Sequence, residues 1–371
     1  KVRDMDILAQ ITEIERTSEQ TTAKCRVIGQ KRPEGRLSPL MEAPNPGSDV
    51  FLAKGEFINQ ALDLSKKENS AFLGLLHGYK DVKITLDLNR FLKSHTAVLA
   101  KTGGGKSFCI STIIEELIEQ KVPVLIIDPH GEYSSLSNPS KDTTALKEFN
   151  LKPQGFKNQV REFSPDIKIN KSADRLSLNQ SNLSATDLIE MLPTTLSQSQ
   201  VGIIYSALKD VETPSLDAVR IAVEMYDHPG KYTIISTLEY LKKLKLFSNE
   251  FTSSASLVKV GQASVINLRG IPPEIQEITV HKLLMDLFED RKKGKIPPFF
   301  LVIEEAHNYI PERSYKKTKC SKILRQIFAE GRKFGIGACI VTQRPSRVEK
   351  NALSQVNTQI ILRVTNPSDI K

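Results

Sequence analysis

The chain has 371 residues, 39% of them apolar, enough for more than one domain and a sizeable core, yet its longest apolar runs are strand-sized and none nears the roughly 20 residues of a membrane span. With 52 Lys and Arg against 43 Asp and Glu, the net charge of +9 is compatible with a polyanionic partner without proving one. Cys25, Cys109, Cys320 and Cys339 lie far apart with no CxxC pair, which argues against a zinc cluster or a disulfide framework. Such a chain, with no membrane span and no signal-peptide pattern within it, reads as soluble and cytoplasmic.

Residues 1–85 carry short β-rich segments, Asp6–Ile14 and Ala23–Gly29, and the turn-rich stretch KRPEGRLSPLMEAPNPGSD, a pattern that predicts a small N-terminal β-barrel domain. From Thr96 the character changes. TAVLA, VPVLIID, SVINL, PFFLVIEE, GACIVTQ and TQIILRV are near-continuously apolar, as strands of a parallel sheet covered on both faces must be. After the first of these runs, Ile110, Ile113, Ile114, Leu117 and Ile118 form one helical stripe facing that sheet. Residues 86–371 therefore read as an α/β core, and a helical insertion at about 181–247 interrupts it, with caps in NLSATDLIEML and TPSLDAVRIAVEMY.

Between the TAVLA strand and its helix lies AKTGGGKSF, close to the phosphate-binding loop pattern except that Ala100 takes the place of its first glycine. Glycines let successive N–H groups turn toward one anion, and the helix behind them aims its positive end at it. Thr102, Gly103, Gly104, Gly105, Lys106, Ser107 and Phe108 are thus the expected ATP-binding residues, with Lys106 on the β and γ phosphates and Ser107 on Mg²⁺. A methyl group at Ala100 is the smallest departure from glycine and should be tolerated.

ATP hydrolysis also needs one carboxylate for the metal shell and another to polarise water. FFLVIEEAHNYI ends its strand in adjacent acids, so Glu304 is expected at the magnesium and Glu305 as general base; Asp128 and Glu132 in VLIIDPHGEY stay near the same edge. His130 and His307 read as hydrogen-bonding loop residues. Gln343, ending the GACIVTQ strand, is placed to sense the γ-phosphate or position the water. In ILRQIFAEGRKFGIG, Ile323, Leu324, Ile327 and Phe328 are spent on packing, leaving Arg325, Arg332 and Lys333 free; Arg332 is the candidate arginine finger for a neighbouring subunit's site, with Arg325 as the competitor. Lys316, Lys317, Lys319 and Lys322 in SYKKTKCSK are expected to contact DNA phosphates.

AKTGGGKS, VLIIDPHGEY, LVIEEAHNYIP, EGRKFGIG and VTQRPS, in this order from about Thr96 to Lys371, resemble the HerA family of archaeal DNA translocases, relatives of the FtsK motor. The resemblance implies a RecA-like P-loop ATPase core behind an N-terminal barrel, assembled as a homo-hexameric ring around duplex DNA, using ATP and Mg²⁺ and working with a NurA-type nuclease in DNA end processing. On it, the family's phosphate-loop lysine and serine fall on Lys106 and Ser107, its acidic pair on Glu304 and Glu305, its sensor on Gln343 and its interface arginine on Arg332. Two alternatives are a conjugation- or secretion-type motor and a nucleotide-locked scaffold for a nuclease. The intact Glu305 speaks against the second.

Overall fold

A computed structural model describes residues 6–32, 37–64, 69–192 and 195–365. The chain divides into two units, Lys1–Leu88 with Glu148–Asn150, and Asn89–Lys147 with Leu151–Lys371.

In the first unit, β1 (Ile7–Arg16) and β2 (Thr21–Lys31) pair antiparallel with two bulges, and β3 (Leu37–Ser38) joins the other side of β2. Helix α1 (Gly55–Ala61) and the antiparallel hairpin of β4 (Ser70–Leu75) and β5 (Lys83–Asp87) follow. A barrel was expected here; the described strands instead form an open three-stranded antiparallel sheet and a separate hairpin. β3 is only two residues long and Pro39, which cannot donate to a ladder, follows it directly. Pro33–Arg36 of the turn-rich stretch lie outside the described residues.

The second unit is built on eight parallel strands. After the short helix α2 (Leu88–Phe91) come β6 (His95–Leu99), α3 (Lys106–Glu119), β7 (Val124–Asp128), α4 (Thr143–Glu148), β8 (Val160–Ser164), β9 (Asp174–Arg175) and β10 (Leu178–Asn179). Helices α5 (Ala185–Met191), α6 (Gln198–Lys209), α7 (Leu216–Glu224) and α8 (Lys231–Lys243) then run to β11 (Phe247–Ser248), which pairs parallel with β10. Ser184 and Ser197 form capping boxes with Asp187 and Gln200, and Ser215 caps α7, so these helices start where side-chain oxygens satisfy their first N–H groups. Helix α9 (Ser254–Leu257), β12 (Ala263–Asn267), α10 (Pro273–Lys292), β13 (Phe299–Ile303), α11 (Ser321–Glu330), β14 (Ile336–Thr342), α12 (Lys350–Ser354) and β15 (Val356–Ile361) complete the unit. No helix among the described residues is long and apolar enough to cross a membrane.

The sheet order is β15-β6-β14-β13-β7-β12-β8-β9. Because neighbours are parallel, every strand ends at the same edge, and the loop after β6, the acids after β13 and the glutamine after β14 emerge side by side there. The central strands are buried throughout, and the α3 stripe Ile110, Ile113, Ile114, Leu117 and Ile118 is fully inside. All six apolar runs read from the sequence are strands of this sheet. Three features differ. β8 was not anticipated, because Arg161 and Glu162 interrupt its apolar pattern, nor was the two-residue β9, which is charged throughout. β15 is an edge strand with only β6 beside it, alternately half-buried and exposed rather than covered on both faces.

At the amino end of β6, His95 is fully buried with its ring edge-on to Phe328. Burial drives its pKa down to about 4. The imidazole stays neutral in the fold while the unfolded chain takes up a proton near pH 6.5, so stability falls as pH drops from about 6.5 to 4. His95→Leu, which cannot titrate, is expected to reduce that slope by up to roughly 1.4 kcal/mol per pH unit, checked by urea unfolding of both proteins across the window.

Candidate active site

The chain leaves β6 at Leu99 and turns through Ala100–Gly105 into α3. Gly103 (φ 70°) and Gly105 (φ 87°) are left-handed, a conformation strained for any residue with a Cβ. Gly104 is required by space instead, since a Cβ there would lie 2.9 Å from the Lys101 carbonyl oxygen and 3.3 Å from the Ala100 methyl. Ala100 itself is buried and has no positive φ, so the backbone does not need glycine at that position. Its N–H is held by the Thr342 carbonyl (3.3 Å) and that of Lys101 by the Arg363 carbonyl (2.8 Å), which ties the loop to both neighbouring strands. No side chain caps α3, and its first N–H groups remain available to an anion.

Lys106 is buried and its ammonium donates to Glu304 and, at 2.7 Å, to Glu305. Glu304 also accepts from the Tyr133 hydroxyl. Glu305 follows the end of β13 in a left-handed conformation (φ 49°, ψ 47°), which turns the chain where the two acids leave the strand. Gln343 donates to Glu305 Oε1 at 2.6 Å and accepts from Thr102, linking the phosphate loop to the acid. His307 Nδ1 lies 3.1 Å from Glu305 Oε2, a buried oxygen, and 3.0 Å from Thr342 Oγ1.

The charges respond to this packing. Burial pushes the Glu305 carboxyl up, but the bonds from His307 and Lys106 outweigh it and hold its pKa at about 2. Burial dominates at Glu304 and raises it, against the opposing pull of Lys106 and Tyr133. Burial lowers Lys106, yet the two carboxylates more than restore it, and the ammonium is held above its ordinary value.

Thus Thr102, Lys106, Glu304, Glu305 and Gln343 are brought into one hydrogen-bonded cluster. The expected metal pair is not in mutual contact: Ser107 donates to Glu132, while Glu304 faces Lys106 and Tyr133. Phe108 stands 75% exposed outside the cluster. Asp128 accepts from the N–H groups of His130, Gly131 and Tyr133, pinning the turn after β7, a structural task. Arg325 is engaged within its own chain, its Nε 2.9 Å from Glu349 Oε2. Arg332 is exposed in the single turn Gly331–Phe334 that precedes β14, at the amino edge of the sheet and so opposite the phosphate loop.

Three of the four lysines expected to contact DNA have partners within the chain. Lys316 pairs with Glu277 of α10 at 2.5 Å, Lys319 donates to the Leu192 carbonyl and Lys322 pairs with Glu190 of α5. These lysines bind the loop to two helices, and among them only Lys317 has no partner among the described residues. Sequence reasoning missed Tyr133 and undervalued His307. The only signal available was position, Tyr133 closing the DPHGEY turn and His307 two residues beyond Glu305.

The description "Helicase HerA, central domain" is that of the family model matching residues 71–288, and a second model, "Zonular occludens toxin (Zot)", matches residues 245–364. The DNA double-strand break repair helicase HerA of Pyrococcus furiosus is 29% identical over 411 residues, covering 96% of this chain and 72% of that protein. That of Sulfurisphaera tokodaii is 30% identical over 353 residues, covering 91% and 67%. Among solved structures, VirB4 of Thermoanaerobacter pseudethanolicus has a TM-score of 0.55 at 14% identity, covering 82% of this chain and 87% of that one. The bacterial conjugative coupling protein TrwBdeltaN70, in complex with sulphate, has a TM-score of 0.51 at 12% identity, covering 86% and 80%. Both share the α/β fold with its large parallel sheet.

Removing the Lys106 ammonium would leave two adjacent buried carboxylates without their common partner. Lys106→Ala is therefore expected to destabilise the nucleotide-free protein by roughly 3–5 kcal/mol, read as a lowered midpoint in chemical unfolding.

Proposed function

The chain belongs to the HerA helicase family, and on that premise we propose that it is an ATP-dependent DNA motor: a homo-hexameric ring that encloses duplex DNA, hydrolyses ATP at its subunit interfaces and works with a NurA-type nuclease in processing double-strand breaks. The observation that carries this reading is the cluster of Lys106, Glu304, Glu305, Gln343 and Thr102 closed against a glycine loop at the carboxyl edge of a parallel sheet. The loop fits a nucleotide triphosphate, since its left-handed glycines and uncapped helix start leave N–H groups for phosphate oxygens. The oxygen donors suit Mg²⁺ by chemistry: Ser107, next to Glu132, would hold it, and Glu304 would join once Lys106 turns from it to the phosphates. When bound, the ion neutralises charge on the phosphates.

Each residue has one task. Lys106 swings its ammonium from the acids to the β and γ phosphates, which releases Glu305 from a cationic partner. Glu305, still set against His307, then takes the proton of the attacking water. Gln343 holds that water against the phosphate loop through Thr102. Arg332 lies before the seven-residue β14, and Gln343 directly after it. At about 3.3 Å per residue the strand separates them by roughly 20 Å, too far for an arginine side chain to reach its own site, so its finger role belongs to a neighbouring subunit. With Arg325 tied to Glu349, Arg332 is the arginine left for this.

DNA-stimulated ATP turnover tests the reading directly, and its absence would sink it. Glu305→Gln should retain ATP binding and assembly while losing turnover by a factor of at least about 10²; a variant near wild-type rate would move the base elsewhere. Rings mixed from Arg332→Ala and Glu305→Gln subunits should regain part of the activity that each pure variant lacks, because some interfaces pair an intact arginine with an intact base. Zero recovery in verified mixed rings would refute the action across the interface.

A further inference from the structure

We infer that the cleft beside the bridged loops following β13 and β14, closed on its other side by the start of α10 and the loop after β7, binds the phosphate backbone of a DNA strand, and that His307 passes its occupancy to Glu305. This rests on the ATPase reading above and adds to it a site and a coupling residue. The two loops are fastened together: Pro311 and Val348 form an antiparallel bridge, the Glu312 N–H donates to the Arg347 carbonyl at 2.7 Å, and the Glu349 N–H donates to the Ile310 carbonyl at 3.1 Å. Beside this bridge lies a cleft of about 450 Å³ whose lining includes His130, Gln276, His307, Asn308, Tyr315 and Arg347.

Its charges are lopsided. Glu277 is neutralised by Lys316, and Glu349 by Arg325 and Arg313. Arg347, and Lys317 two residues beyond Tyr315, are exposed and have no acidic partner among the described residues. The Arg347 guanidinium sits 5.4 Å from the ring centroid of Tyr315, which is 61% exposed and presents it to solvent. A forked cation held on an aromatic face, with a second free cation two residues beyond that tyrosine, suits a phosphodiester. The cleft has room for a phosphate and its sugar, and two cations with one tyrosine read no base edge, so the contact is independent of sequence.

His307 links the cleft to the chemistry. One side of it lines the cleft, and its Nδ1 lies between Glu305 Oε2 and Thr342 Oγ1, at 3.1 and 3.0 Å. Thr342 also accepts from the Arg344 N–H at 3.0 Å, at the root of the loop that carries Arg347. A strand that draws on the cleft therefore moves the group against which Glu305 is set. His307 is a positioning residue in this scheme.

The test uses the full chain, a fluorescent duplex and ATP turnover. The double variant Arg347→Ala/Lys317→Ala should bind duplexes of unrelated sequence on the order of tenfold more weakly, with a salt slope flatter by up to roughly 0.9 per lost phosphate contact. Unchanged affinity and slope would overturn the site, as would weaker ATP binding with intact DNA affinity, which would assign the cleft to nucleotide. His307→Ala should keep duplex affinity while the ratio of DNA-saturated to DNA-free turnover falls toward 1, and His307→Asn, which retains a polar atom near Nδ1, should restore part of it. Equal losses in both rates leave the ratio unchanged and refute the coupling. Wild-type protein without ATP turnover would refute the ATPase reading instead, while the duplex titration would still decide the site.

Discussion

An ammonium enclosed by two carboxylates organises this molecule. Taking Lys106, Glu304 and Glu305 out of water costs several kcal/mol per charge, and only their mutual pairing, with Gln343 sharing Glu305 Oε1 and Tyr133 and His307 on the other oxygens, makes the arrangement tenable. The demands of that cluster reach outward. Glu305 must adopt a left-handed backbone, Thr102 must face Gln343, and the phosphate loop must be held between β14 and the extension of β15 by the N–H groups of Ala100 and Lys101. A triphosphate competes for the same ammonium. Nucleotide binding and release of the acids are then two sides of one exchange, and the strain at Glu305 is retained because the surrounding bonds determine its position.

The parallel sheet turns this local cluster into a device with two ends. Residues of several strands meet at the carboxyl edge because every strand runs the same way, and by the same rule the turn before β14 is delivered to the opposite edge. A single strand therefore connects Arg332 to Gln343 rigidly. The loops after β13 and β14 are fastened by the Pro311–Val348 bridge, so a displacement of one carries the other, and with it the roots of both Glu305 and Gln343. Such a pair acts as one element even though its halves are separated in sequence by α11.

The basic run 316–322 shows why local charge is a poor guide to partners. Four lysines in seven residues look like a solvated or DNA-binding stretch, yet three are consumed by the Glu277 carboxylate, the Glu190 carboxylate and the Leu192 carbonyl. The acids stand on α10 and α5, far upstream in the chain. Two cations lacking such partners, Lys317 and Arg347, come from different loops, and no window of sequence contains them both.

Sequence by itself determined the elements whose signal is local. The six apolar runs had to be buried strands, the isoleucine and leucine stripe of α3 had to face a sheet, and three glycines before a lysine and a helix could serve only a tight turn there. Adjacent acids at the end of an apolar strand were likewise legible, because a strand aims its last residues at a known edge. Tertiary structure alone decided which strand lies at the margin, since the apolar pattern of β15 resembles that of a central strand and only pairing reveals its open side. It also decided partnership: that Ser107 meets Glu132 while Glu304 meets Tyr133, that Arg325 is spent on Glu349 while Arg332 is not, and that His307 stands against Glu305. The physical reason is range. Periodicity and turn chemistry act over a few residues, whereas hydrogen bonds and ion pairs act over about 3 Å of space, and what comes within that distance is set by the order of strands in the sheet.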